Sequence, residues 1–448
     1  MDLTNYFSKT QISQSKSKIK KLFFFRICGT GMGSAAIMLK NAGYEVEGYD
    51  QEFSPPMSTY LKSTKIPMHR EISPEKLREF DLIVTGNVVR KDSDDAHLIE
   101  QCGTPFASFP ATLGALVLDD LEVVGIAGTH GKTTTTWLAT QLYEKLKQNP
   151  GYFIGGVLEG RDSGKINTGK FFIESDEYDS AYFEKFSKFH LYSLDHLIFT
   201  SLEFDHADIF NSIDDIIAEF ENLLSHLTGE IIANNHYPAI QKLYQKKITM
   251  AEWTFYGEES KLGPDIIESV PEGTVFKIFT DQEYIFSTNL TGYHNILNLT
   301  AVILLALKDG FSSEQINAVI KDLKMVKRRQ EFRGYYKKSI VIDDFAHHPR
   351  AVAMTIDSIQ QTYPDKKIIT FMEPRSATAR SNIFQQEFAE ALRKSAKVVL
   401  LQPNPTTVKF AQDLDTTLLA QDLEKNKIFA KIVSDLTGLQ EQIDAHAG

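Results

Sequence analysis

Short apolar runs alternate with amphipathic stretches along the chain. KLFFFRIC (21–28) is apolar up to Arg26 and predicts a buried strand. GTGMGS (29–34) predicts a turn, AAIMLKNAG (35–43) a helix stopped at Gly43, and YEVEGYD (44–50) a second strand ending in Asp50. LREFDLIVTG (77–86) adds another strand. The order restarts at LEVVGIA (121–127), a strand, followed by the turn GTHG and the helix KTTTTWLATQLYEKL (132–146). KFFIESDEYD (170–179) and HLIFTSLEFDHAD (196–208) predict two strands, each ending in carboxylates. Alternation within 262–290 predicts short β pieces. A third unit is expected from KKSIVIDDFAHHP (337–349), KKIITFMEPRS (366–376) and KVVLLQPNP (397–405), each a strand running into a loop. Repeated β–α alternation implies parallel sheets with helices on their faces. The fold class is therefore α/β, with consecutive αβ domains expected at 20–115, 116–328 and 329–448.

Composition narrows the function. The 448 residues are 42% hydrophobic and 24% charged, as in an ordinary globular protein. A net charge of −11 argues against nucleic acid as a partner. No run approaches the ~20 apolar residues of a membrane helix. The Ser- and Lys-rich first 21 residues contain no signal-peptide core and read as a short polar extension, open to disorder. Two cysteines, Cys28 and Cys102, make no disulfide framework and fit a reducing cytoplasm. Nothing points to an obligatory protein partner.

GTHGKTTTT (128–136) is the strongest chemical signal. The common triphosphate loop places a Gly five positions before its Gly-Lys pair, and here that position is Ile126. The loop physics still holds. Glycines let several N–H groups converge, and the following helix adds positive potential. Gly128, Thr129, His130, Gly131, Lys132, Thr133 and Thr134 are the candidates for phosphate. Lys132 would reach the β- and γ-phosphates, and Thr133 would offer a hydroxyl to Mg²⁺. Glu174 and His206, each at a strand end, add hard or borderline donors for that ion. ESDEYD brings Asp176, Glu177 and Asp179 close in sequence, a crowding that a cation or hydrogen bonds must offset.

GYHNILN (292–298) sets Asn295 and Asn298 one helical turn apart, and such amides can both donate to and accept from an adenine edge. In KRRQEFRG (327–334), Arg329 suits a transferring phosphoryl group. In DDFAHHP (343–349), Asp344 suits ribose hydroxyls, and His347 or His348 could handle protons. EPRSATAR (373–380) presents Arg375, with Ser376 beside it, for a substrate carboxylate. Gly29, Thr30, Gly31, Met32 and Gly33, with Asp50, allow either a dinucleotide or a UDP diphosphate.

In this order, GTHGKTTTT, ESDEYD, DHAD, GYHNILN, RRQEFRG and DDFAHHP resemble the Mur ligase family, ATP-dependent amide-forming enzymes of bacterial cell-wall synthesis. The family's loop is GTxGKT, so the early Gly is not needed. The resemblance covers roughly 20–435. It implies a Rossmann-like UDP-sugar domain (Gly29–Gly33, Asp50, Asn87), a central ATP domain and a Rossmann-like peptide domain (Arg375, Ser376). It also implies Mg²⁺ at Thr133, Glu174 and His206, and Lys132, Arg329 and His348 in catalysis. SPPMSTYL, TGNVVRKD, EYDSAYFEKFSKF, LEFDHADIF and EPRS resemble the branch that joins UDP-N-acetylmuramate to the recycled tripeptide L-Ala-γ-D-Glu-meso-diaminopimelate. The L-alanine-adding branch and a non-catalytic UDP-sugar-binding relative remain alternatives. Two departures stand out. Ser201 occupies a usual Asn position. The chain also ends at EQIDAHAG, before the strand and Gly-rich loop that close the relatives, so the C-terminal domain is expected to be truncated.

Overall fold

Phe23, Phe24 and Phe25 are all fully buried, because their strand has packed layers on both faces. Phe24 joins one core with the helix Thr30–Asn41, while Phe23 and Phe25 join another with Leu77, Phe80 and Ile99. Their strand, Lys21–Phe25, is central in a five-stranded parallel sheet. The order is Met68–His69, Glu45–Tyr49, Lys21–Phe25, Leu82–Thr85, Phe106–Ser108. Strand order reverses beside Lys21–Phe25, and the crevice outside the carboxyl ends at such a reversal is where open α/β sheets bind ligands. These elements come from a computed structural model, which describes residues 1–448 except 54, 56, 157, 159, 206–208, 259, 403–412 and 448.

The central unit is a seven-stranded sheet with Val123–Ala127 in its middle. Parallel neighbours His196–Phe199 and Phe171–Ser175 flank that strand. The helices Lys132–Lys145 and Tyr293–Lys308 pack together on one face, with Leu138, Leu142, Ile296 and Ile303 in one core. Asp265–Val270, Gly273–Phe279 and Glu283–Thr288 form a separate antiparallel sheet, matching the alternation at 262–290.

The C-terminal unit has a parallel sheet of Ile369–Met372, Lys397–Leu401 and Phe429–Val433. SIVID forms a strand, Ser339–Asp343, but within the described residues it pairs antiparallel with Glu331–Tyr336 in a hairpin, not with that parallel sheet. Lys337 takes φ 53° at the turn, a conformation with no signature in the Lys-Lys sequence.

The N-terminal extension is ordered, contrary to the sequence expectation. Phe7 N–H donates to Phe106 O at 2.8 Å, and Phe106 N–H donates to Asn5 O at 2.9 Å. Helix Lys9–Ser15 carries a complete capping box and lies on helix Phe109–Leu116. Ile12 is fully buried and Ile19 nearly so. Each such burial stabilises by about 1.5–3 kcal/mol, more than the ~0.5–1 kcal/mol lost in fixing an Ile side chain. Low mean apolarity hid two well-spaced anchors.

Candidate active site

The candidate phosphate loop is placed by its two neighbouring strands. Ile126 is in register with Glu174 on one side, and Ala127 with Phe199 on the other. The loop 128–131 therefore emerges between Glu174–Glu177 and Thr200–Asp205. Gly128 (φ 132°) and Gly131 (φ 85°) supply backbone that a side chain would obstruct. A Cβ on Gly131 would lie 2.7 Å from Asn298 Oδ1, and one on Gly128 would lie 2.4 Å from Thr200 Oγ1.

Lys132 begins the helix, and its Nζ donates to Gly128 O at 2.6 Å. The same Nζ lies 3.3 Å from Glu177 and 3.8 Å from Asp176. Burial opposes its charge, but Glu177 and Asp176 outweigh burial and raise its pKa. Thr133 Oγ1 donates to Glu174 Oε2 at 3.0 Å, and Gly155 N–H donates to Glu174 Oε1 at 2.8 Å. Burial raises the Glu174 pKa, with the Gly155 and Thr133 bonds acting against it. A half-buried carboxylate beside a hydroxyl is a hard-oxygen donor set that fits Mg²⁺. His206, the third expected ligand, lies outside the described residues.

Ser201 fills its position well. Its Oγ accepts the His130 N–H at 2.7 Å and donates to His130 O at 3.2 Å, bracing the loop from behind. Thr129 Oγ1 accepts Glu203 N–H at 2.8 Å, and His130 Nε2 lies 3.2 Å from Glu203 Oε2. Thr134 is buried within the helix.

The two asparagines part company. Asn298 stands against Gly131 of the loop. Asn295 Nδ2 donates to Thr291 O at 2.9 Å and lines a cavity of about 230 Å³ with Asn289, Met325, Arg329 and Gln330. His294 meets Gln330 at 3.1 Å, and burial holds it neutral with a pKa near 4.

The junction of the central and C-terminal units runs beside that cavity. Arg328 (φ 60°) and Gln330 (φ 48°) flank Arg329 in left-handed backbone. The Arg329 guanidinium lies 5.3 Å from the Phe345 ring centroid and within electrostatic reach of Asp344 and Glu174. Asp344 turns inward, accepting N–H bonds from Gln330 (2.8 Å) and Ala346 (2.7 Å).

His348 is buried at the N-cap of helix Pro349–Thr362, and its Nδ1 accepts the Arg350 N–H at 3.3 Å. Burial and His130 depress its pKa to about 4, so the ring is neutral and its proton sits on Nε2. That nitrogen has no partner among the described residues. His348 is thus placed to donate a hydrogen bond at neutral pH. His130, Glu203 and His348 converge within 4.8 Å. A metal on Nε2 would force the proton to Nδ1, against the Arg350 N–H, so the triangle is poorly suited to a metal.

Arg375 is exposed, and Ser376 caps the short helix Ala377–Arg380. Thr378 of that helix donates to Asp205, which brings the Arg375 loop to the edge of the cleft. Gly29–Gly33 form the start of helix Thr30–Asn41, and Asp50 Oδ2 accepts the Cys28 N–H at 2.8 Å. Asn87 is exposed just beyond strand Leu82–Thr85, next to Gly86, whose Cβ position is 3.2 Å from Met32 Sδ. These residues gather at the carboxyl end of the first sheet.

Family models agree with this arrangement: "Mur ligase family, catalytic domain" matches 21–120, "Mur ligase middle domain" 126–306, and "Mur ligase, glutamate ligase domain" 328–444. The UDP-N-acetylmuramate--L-alanyl-gamma-D-glutamyl-meso-2,6-diaminoheptandioate ligase of Escherichia coli is 33% identical over 86% of this chain and 85% of its own length. The chain belongs to the Mur ligase family. It is an ATP-dependent ligase that forms amide bonds. A murein peptide ligase of Psychrobacter arcticus is 26% identical with a TM-score of 0.70, covering 96% of this chain and 93% of its own. The UDP-N-acetylmuramate-alanine ligase MurC of Thermotoga maritima gives a TM-score of 0.77 at 21% identity, covering 94% and 92%. The higher score reflects shape alone. Among the described residues no helix is long and apolar enough to cross a membrane.

Sequence reasoning missed Glu203 and Arg350. Glu203 is one acid among several in LEFDHADIF, and Arg350 follows a proline that ends the motif. Only the fold shows that they meet, Arg350 Nη1 lying 2.6 Å from Glu203 Oε1.

Proposed function

We propose that this cytoplasmic bacterial ligase joins the carboxylate of UDP-N-acetylmuramate to the α-amine of the tripeptide L-Ala-γ-D-Glu-meso-diaminopimelate, consuming ATP in peptidoglycan recycling. The observation that carries the reading is the convergence on one loop of Lys132, the Thr133–Glu174 pair and, from the domain junction, Arg329. The 33% identity to the Escherichia coli tripeptide enzyme, against 28–30% to L-alanine ligases, favours the tripeptide over L-alanine. Residues 20–115 hold the UDP-sugar, with Gly29–Gly33, Asp50 and Asn87 around the diphosphate. Residues 116–328 hold ATP, and 329–448 the peptide, with Arg375 and Ser376 facing its carboxylates.

A carboxylate is a poor electrophile. Its oxygen attacks the γ-phosphorus of ATP, ADP leaves, and an acyl phosphate forms. The neutral amine then attacks the acyl carbon. Phosphate departs with the former carboxylate oxygen, and the amine loses a proton. Lys132 leaves Glu177 for the phosphates and offsets their charge without a proton transfer. Arg329 does the same from the junction. Thr133 and Glu174, with His206, would hold Mg²⁺, which when bound neutralises phosphate charge. The cavity beside Asn295 takes adenine, Asn298 shapes the loop, and Asp344 approaches the ribose. Packing of the C-terminal unit over the loop excludes water from the acyl phosphate.

The test is isotopic. UDP-N-acetylmuramate carrying ¹⁸O in its carboxylate is ligated, and the released phosphate is weighed. One ¹⁸O per phosphate supports the acyl phosphate. Unlabelled phosphate excludes it.

A further inference from the structure

Glu203 is held from three directions. Its N–H donates to Thr129 Oγ1 at 2.8 Å, and that hydroxyl donates to Glu203 O at 3.2 Å. Its Oε2 meets His130 Nε2 at 3.2 Å, so both contacts are to the phosphate loop. Its Oε1 accepts from Arg350 Nη1 at 2.6 Å, a contact to the C-terminal unit. The Arg350 guanidinium lies 4.8 Å from the Tyr237 ring centroid of the central unit. The His130 and His348 rings stand 4.7 Å apart across the same boundary. Burial works against the Glu203 charge, but His130 and Arg350 overcome it and hold its pKa near 2. The bridge spans a junction where Arg328 and Gln330 both adopt left-handed backbone, so contacts elsewhere must hold the position.

We infer that Glu203 and Arg350 are positioning residues, a bridge that fixes the C-terminal unit to the phosphate loop and so aligns the incoming amine with the activated carboxylate. Neither residue touches the reacting atoms. Glu203 reads the loop through Thr129 and His130, and Arg350 carries that position to the helix Pro349–Thr362, whose cap is His348. Loss of the bridge misaligns the two halves of the site without removing either.

The kinetic arm rests on the ligase reading, and a scattering arm does not. Glu203→Gln, Arg350→Gln and the double variant are compared with the wild-type chain. Each single change is expected to lower kcat about 10- to 100-fold, the scale of a misplacement of about an ångström. Affinity for a non-hydrolysable ATP analogue and KM for the UDP-sugar should stay within about threefold, since the loop amides and Lys132 remain. The double variant should be no slower than the slower single, because both changes break one contact. Arg350→Lys, which keeps the charge, should recover part of the rate. In X-ray scattering all three Gln variants should show a larger radius of gyration than the wild type. Rate losses that multiply in the double variant would overturn the inference, as would a radius unchanged in Arg350→Gln. Should the wild type fail to ligate at all, the ligase reading falls, and the scattering comparison still decides the bridge.

Discussion

Lys132 Nζ lies 3.3 Å from the Glu177 carboxylate, so an acidic run holds the phosphate-loop cation before any nucleotide arrives. Lys132→Ala removes the cation that lies between Glu177 and the γ-phosphate, while Asp176 keeps its pair with Lys188. Ligation should fall by at least a factor on the order of 100–1000, the scale of losing one transition-state donor. UDP-sugar affinity should be retained, because Gly29–Gly33 open a helix that packs on another sheet. Unchanged turnover in this variant would remove Lys132 from the phosphate site.

Ser201 gives a second prediction. Its side chain is buried and braces the loop through His130 N–H and O. Ser201→Ala leaves that amide without its partner, at a cost of about 1–3 kcal/mol. A lower Tm and a raised KM for ATP are expected, with KM for the peptide little changed. An unchanged Tm would show that the brace is dispensable.

Gly131→Ala tests the loop geometry. At φ 85° any side chain is strained by roughly 1–2 kcal/mol, and this one would also press on Asn298 Oδ1. Titration with an ATP analogue should show weakened binding, with the UDP-sugar site intact. Unchanged nucleotide affinity would mean that the loop adapts.

Stability should fall with acid in a defined window. His294 and His348 have folded pKa values near 4, below the ordinary 6.5, because burial disfavours their charge. The unfolded chain binds their protons first, so their contribution is complete above about pH 6.5 and is lost as pH falls toward 4. Glu203 adds a lower step, between its ordinary 4.5 and about 2. Thermal melts from pH 7 to 4 should show a falling Tm, with a shallower slope in His348→Gln. An equal slope in that variant would contradict the burial argument.

Much of this was legible in the sequence, for physical reasons. Parallel strands buried on both faces leave continuous apolar runs, and KLFFF and VVGIA are such runs. Loop glycines and the acids at strand ends mark themselves, because few other segments tolerate them. Relationships between distant segments left no trace. Glu203 and Arg350 are 147 residues apart, and nothing in either motif names the other. The hairpin at Glu331–Tyr336 rests on a left-handed Lys337, which carries no turn signature. Residues 1–20 looked polar because Ile12 and Ile19, the positions that bury, are few. Asn295 and Asn298 share a helix face, yet the packing of that helix against the loop gives them different neighbours.

The central claim is the choice of acceptor and amine. The most direct measurement is phosphate release from ATP and Mg²⁺ with UDP-N-acetylmuramate, run with the tripeptide, with L-alanine and with no amine, and with the product weighed. The account predicts release that depends on the tripeptide and a product with the mass of UDP-N-acetylmuramoyl-tripeptide. Release with L-alanine and none with the tripeptide would contradict it.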